Sequence, residues 1–201
     1  MLRILQAPSL VSLSIQLFID LYSDSPEDTD FSLNVLSFID NSKCQATFRS
    51  LSLSDCVFEA DDLASLLLPL SFLTHLELDN VEFDDECQMF DHLKSPEPRM
   101  LPRLEVLELR QLPKDYDFDL VEKFLKSRRQ FRRTQVPSPT GRLVNEYTFE
   151  GPPDSLKQVI VTYREAPEEM SFKTRAQEDT SFINALRRQY GVVVSVSDCS
   201  A

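Results

Sequence analysis

One spacing recurs so often along this chain that few folds can accommodate it. Leu10, Leu13 and Ile15 form an L-x-x-L-x-I unit, and Phe48, Leu51 and Leu53 repeat it. Leu73, Leu76 and Leu78, then Leu104, Leu107 and Leu109, then Leu156, Val159 and Val161 supply further copies. The last two members of each unit lie two residues apart, which is the period of a strand with one buried face. The distance between copies is uneven, but the unit itself persists, and a persistent unit is the signature of a stacked repeat architecture.

Amphipathic stretches opened by acidic residues separate the copies. Asp30 precedes FSLNVLSFI, Asp61 and Asp62 precede LASLLLPL, Asp84 and Asp85 precede ECQMFDHL, and Asp117 precedes FDLVEKFLKSRR. A carboxylate there accepts from the free amides of a helix N-terminus and opposes the helix dipole. Leu120, Val121, Phe124 and Leu125 fall on one stripe at helical spacing. A last helix is expected from about Thr180 to Tyr190 with Gly191 as its stop, followed by a β-branched strand, VVVSV. Strand, helix, strand in alternation implies a parallel sheet with helices outside it. The expectation is a single α/β solenoid spanning residues 1–201, parallel strands on a concave face and helices on the convex one. An irregular insertion at about 130–155, rich in Pro and Gly, contains LVNEYTF, which alternates like a strand.

Composition removes several function classes. Three glycines leave no material for a phosphate-cradling G-x-G-x-x-G or G-x-x-x-x-G-K loop. A formal net charge of −12 repels nucleic-acid phosphates and anionic membranes at long range, so neither is expected as a partner. The cysteines at 44, 56, 87 and 199 contain no C-x-x-C pair. Neither a zinc module nor a disulfide framework follows, and a reducing compartment, cytoplasmic or nuclear, is expected. The N-terminal run LVSLSIQLFI alternates like a strand and lacks a small-residue cleavage site, while Leu63 to Leu73 is interrupted by Pro69 and too short to cross a bilayer.

The segment FRSLSLSDCVF, residues 48–58, fits L-x-x-L-x-L-x-x-[NC]-x-L at every signature position, with Phe48 and Phe58 replacing the outer leucines. LTHLELDNVEF, residues 73–83, fits except for Val81, and LEVLELRQL, residues 104–112, departs at the same place with Leu112. In this pattern Cys56 is a buried member of a repeat turn rather than a reactive thiol. Through these phrases, with APSLVSLSI, LPRLEVLEL and the closing LRRQYGVVVSV, the chain resembles the leucine-rich-repeat region of fungal F-box-type proteins, above all those of basidiomycetes. The resemblance implies a repeat surface that binds a protein destined for ubiquitination. A separate F-box would dock to the adaptor of a cullin-based ligase, and no F-box segment lies within this sequence. The adaptor is therefore expected only through an F-box upstream of it. The abrupt strand-like start, MLRILQAPSLVSLSI, fits that expectation, because a solenoid end needs a polar cap or a covering domain.

Residues between the inward leucines point to the opposite face of the sheet, where solenoids bind. They form a column from Ser12, Ser14 and Gln16 through Ser50, Ser52 and Ser54 to His75, Glu77 and Asp79, then Val106, Glu108 and Arg110, then Gln158, Ile160 and Thr162. The candidate partner contacts are Ser52, Ser54, His75, Glu77, Asp79, Glu108 and Arg110; a merely solvated sheet face is the plain alternative. His75, Glu77 and Asp79 share a strand face, as metal ligands or an acid–base pair could. Without a second histidine nearby or an H-E-x-x-H motif, solvated polar residues are the simpler reading, and no metal, cofactor or catalytic residue is assigned. The basic run Lys123, Lys126, Arg128, Arg129, Arg132 and Arg133 reads as cations favoured at a helix C-terminus, since no stacking aromatics accompany it. No G-x-S-x-G turn is present. An unrelated binding scaffold remains open, as does an enzyme whose turnover depends on His75 or Glu77.

Overall fold

A computed structural model describes residues 6–16, 31–83, 86–94, 100–113, 116–137, 139, 141–150, 154–164 and 182–198. In chain order the elements are β1 (Ser12–Gln16), α1 (Phe31–Ser42), β2 (Ser50–Ser54), β3 (Val57–Phe58), α2 (Ala60–Leu67), β4 (His75–Asp79), β5 (Glu82–Phe83), α3 (Glu86–Lys94), β6 (Val106–Leu112), α4 (Phe118–Ser127), β7 (Gln130–Pro137), β8 (Leu143–Glu150), β9 (Gln158–Tyr163), α5 (182–190) and β10 (Val193–Asp198). Asp30, Asp84, Asp85 and the expected helix start at Thr180 lie outside the described residues.

The protein is α/β, and among the described residues its main sheet has six strands in the order β1, β2, β4, β6, β9, β10, with every neighbouring pair parallel. Each strand pairs with the next one of that sheet along the chain, so the sheet grows in one direction. Each repeated unit contributes one strand, and the units fall in register: Leu13, Leu51, Leu76, Leu107 and Val159 form one row, and Ile15, Leu53, Leu78, Leu109 and Val161 the next. From β2 to β9 both rows are buried, as are Phe48, Leu73, Leu104 and Leu156 ahead of the strands. On the edge strand β1, Leu13 and Ile15 are only partly covered. Burying one such aliphatic side chain is worth roughly 1.5–3 kcal/mol, which makes these rows the principal stabilising element of the sheet.

The helices pack in sequence, α1 against α2, α2 against α3 and α3 against α4, over the leucine face. Asp117 caps α4 as expected, its side chain accepting from the Asp119 amide at 3.0 Å. α2 starts earlier than the sequence suggests: Glu59 is its N-cap residue, and Asp61 and Asp62 stand inside the first turn, where their charge still opposes the dipole. α5 stops at Gly191, whose φ of +68° is the left-handed conformation glycine adopts without strain. Just after β2 and β4 in the chain, β3 and β5 form a short parallel pair that the leucine pattern does not announce.

The insertion is an antiparallel hairpin, β7 with β8, running from Gln130 to Glu150. It lies within the expected 130–155. Towards the end of that range Asp154 grips Arg128 at the end of α4 through Arg128 Nε to Oδ2 at 2.5 Å and a second nitrogen to Oδ1 at 3.1 Å. Both side chains are 3% exposed. Phe131, Tyr147 and Phe149 of the hairpin gather around Phe182 of α5, with ring centroids 5.2 to 5.5 Å away, and seat the hairpin base on that helix.

Candidate functional site

The open face of the sheet is assembled by the register that aligns the leucines. Because side chains alternate, a row of buried leucines fixes an equally regular row of outward residues between them. Ser14, Ser52, Glu77, Glu108 and Ile160 form the middle row; Ser12, Ser50, His75, Val106 and Gln158 lie to one side. On the other side Gln16, Ser54, Asp79 and Arg110 align. The face therefore passes from hydroxyls through a charged centre to a mixed apolar and hydroxyl end, where Val193, Ser195 and Ser197 of β10 extend it.

Glu108 is the centre of the charged part and differs from a solvated surface acid. Its side chain is only 9% exposed, held between His75 of β4 and Arg110 of its own strand. Arg110 Nε donates to Glu108 Oε2 at 2.8 Å and lies 3.0 Å from Glu77 Oε1, and a second Arg110 nitrogen donates to Glu108 Oε2 at 2.5 Å. His75 Nε2 approaches Glu108 Oε1 at 3.0 Å, close enough for an ion pair, but without the alignment of a hydrogen bond. The hydrogen bond from Arg110 to Glu108 raises the guanidinium pKa further, with the charges of Glu108, Glu77 and Asp79 acting in the same direction. Arg110 fills the space between the two glutamates that a bridging metal would need. Among the described residues no group of three His, Cys, Asp or Glu side chains converges as a metal-binding set.

A second polar line lies at the strand ends, and the sequence reading does not include it. Asp55, Asn80 and Gln111 adopt φ of +55°, +54° and +54°, each at or just past the end of a strand's outward column. Asn80 Nδ2 donates to Asp55 Oδ1 at 2.6 Å, Gln16 Nε2 donates to Asp55 Oδ2 at 2.7 Å, and Gln111 Nε2 donates to Asp79 Oδ1 at 2.9 Å. The hydrogen bonds from Asn80 and then Gln16 hold the Asp55 carboxyl below its ordinary pKa of 3.8. The common offset of S-D, D-N and R-Q after the strands was the available signal, since Asp and Asn tolerate left-handed backbone better than other non-glycine residues.

All seven candidate residues lie on one face, but they are not one cluster. His75, Glu77, Glu108 and Arg110 form the charged network, Asp79 joins the strand-end line, and Ser52 and Ser54 stand beside it on β2. Cys56 is buried, its thiol donating to the Ser54 carbonyl at 3.0 Å, and Val81 and Leu112 are buried at the equivalent points of the next units. The basic run does not form a single patch. Lys126 pairs with Glu122, Arg128 is buried against Asp154, Arg129 donates to the Leu156 carbonyl, and Arg132 meets Glu150 at 3.2 Å.

Among the described residues no helix is long and apolar enough to cross a membrane. Comparison with protein-family models, with curated proteins and with solved structures gives no match to this chain.

Proposed function

We propose that the chain is a leucine-rich-repeat solenoid whose concave sheet face recognises a protein partner, as the substrate-receiving part of an F-box-type subunit of a cullin-based ubiquitin ligase. The observation that carries the reading is the register itself. Five copies of the apolar unit stack so that their intervening residues make one continuous open face, with a partly desolvated charged network at its centre. Such a surface offers directional polar contacts on a rigid backbone, the property a recognition surface requires. The contribution of this chain is positioning: the leucines fix the backbone, the column selects the partner, and ubiquitin transfer takes place on other subunits in the cytoplasm or nucleus. The F-box element of the proposal rests on the sequence resemblance alone.

Replacing His75, Glu77, Glu108 and Arg110 together, with folding checked by circular dichroism, is expected to abolish recovery of protein partners from cell extract. Unchanged recovery rejects the site. Adaptor and cullin subunits among the proteins that accompany the natural full-length product would support the ligase reading. Partners recovered without them would support a scaffold unrelated to ubiquitination.

A further inference from the structure

The second strand of the hairpin carries an edge that the described residues only half cover. Gln189 of α5 places its carboxamide against it: Nε2 donates to the Tyr147 carbonyl at 3.2 Å, and Oε1 accepts from the Phe149 amide at 3.3 Å. That donor and acceptor are the pair one residue of a parallel neighbouring strand would present. Backbone groups of alternate residues share an edge, so Asn145 and Leu143 turn theirs the same way as Tyr147. Among the described residues no strand pairs with this edge, and the hairpin is a two-stranded sheet. Beside it, between β8 and α5, lies a groove of about 490 Å³ whose lining includes Val136, Val144, Tyr147, Ala185 and Arg188. Leu143 and Val144 continue it as exposed apolar side chains. Proteins commonly blunt such an edge with charge, proline or a covering element. Among the described residues Gln189 covers one step of the ladder, and no strand pairs with the rest.

The charge around the groove selects the occupant. Arg133 donates to Asn145 Oδ1 at 2.9 Å and Arg188 to the Asn184 carbonyl at 3.3 Å. Neither is ion-paired to a carboxylate among the described residues, whereas Arg132 is, to Glu150. Arg188 lines the groove together with one acid, Glu146, and Arg133 stands beside it through its hydrogen bond to the lining residue Asn145. In a chain of net charge −12, Arg133 and Arg188 against Glu146 make a locally positive border along a strand edge that no described strand pairs. We propose that the outer edge of β8, from Leu143 to Tyr147, takes an extended acidic peptide as an added strand. Its main chain would continue the ladder that Gln189 begins, and its carboxylates would meet Arg133 and Arg188. This surface is separate from the open face of the main sheet and does not depend on its assignment.

The test uses a fluorescent hexapeptide of alternating glutamate and valine, the same peptide N-methylated at alternate amides, and a lysine–valine counterpart, titrated by anisotropy against the full chain. The glutamate peptide is expected to bind and to protect the Asn145 and Tyr147 amides from hydrogen exchange. The N-methylated peptide is expected to lose binding, and the lysine peptide to bind at least tenfold more weakly. An Arg133→Glu, Arg188→Glu variant, both changes at exposed sites, should reverse the charge preference while keeping the native spectrum. Equal binding of the N-methylated peptide, protection elsewhere, or no binding of the glutamate peptide overturns the proposal. So does preferential capture of a single-stranded oligonucleotide by the same arginines.

Discussion

Asp55 and Asn80 show how a single residue can hold two strands in step. Each adopts a left-handed backbone just after its strand, and the Asn80 side chain reaches the Asp55 carboxylate one repeat away at 2.6 Å. Asn80→Gly keeps the backbone conformation accessible and deletes that hydrogen bond, so the Asp55 carboxyl should titrate higher, toward its ordinary 3.8. The sign for stability follows. Because the folded pKa is the lower one, the stabilising contribution is complete above the unfolded value and disappears as pH falls through the folded one. The stability difference between Asn80→Gly and the parent should therefore narrow at acid pH. Carbon-detected NMR titration of Asp55 in both proteins checks the first point, and an unchanged midpoint would contradict it. Cys56 belongs to the same scale: its place in the repeat pattern indicated burial, and the fold buries it against the Ser54 carbonyl.

At the scale of elements, much was legible because it is periodic. The spacing of Leu51 with Leu53, Leu76 with Leu78 and Leu107 with Leu109 located three central strands and their inward faces, and Asp117 located the start of α4. Those signals are local, set by side-chain alternation and by free amides at a helix end. The Arg128–Asp154 pair was not legible, since an arginine in a basic run reads as surface charge until the chain returns after the hairpin to place a carboxylate beside it. The two ends of that hairpin excursion are pinned by this buried pair. Arg128→Ala strands a buried carboxylate and should cost about 3–5 kcal/mol in urea unfolding. Arg128→Met combined with Asp154→Leu removes both charges and should recover most of that loss. A double variant as unstable as the sum of the single ones would show that the pair does not act as a unit.

Over the whole molecule, one parallel sheet grows strand by strand, and the leucine register on one side dictates the polar register on the other. The candidate column could be read from the sequence for that reason: once Leu76 faces inward, His75 and Glu77 must face out. The interior character of Glu108 could not be read, because its burial depends on Arg110 and Glu77 closing over it from the same and the neighbouring strand. Recognition through this face is the central claim, and site-specific photo-crosslinking tests it without disturbing the charged network. A photoreactive amino acid in place of Ser52 or Ser54, on the sheet face, should yield a discrete protein conjugate in cells, while one in place of Lys123 on α4 should not. Conjugates arising from the helix position and none from the two sheet positions would contradict the account.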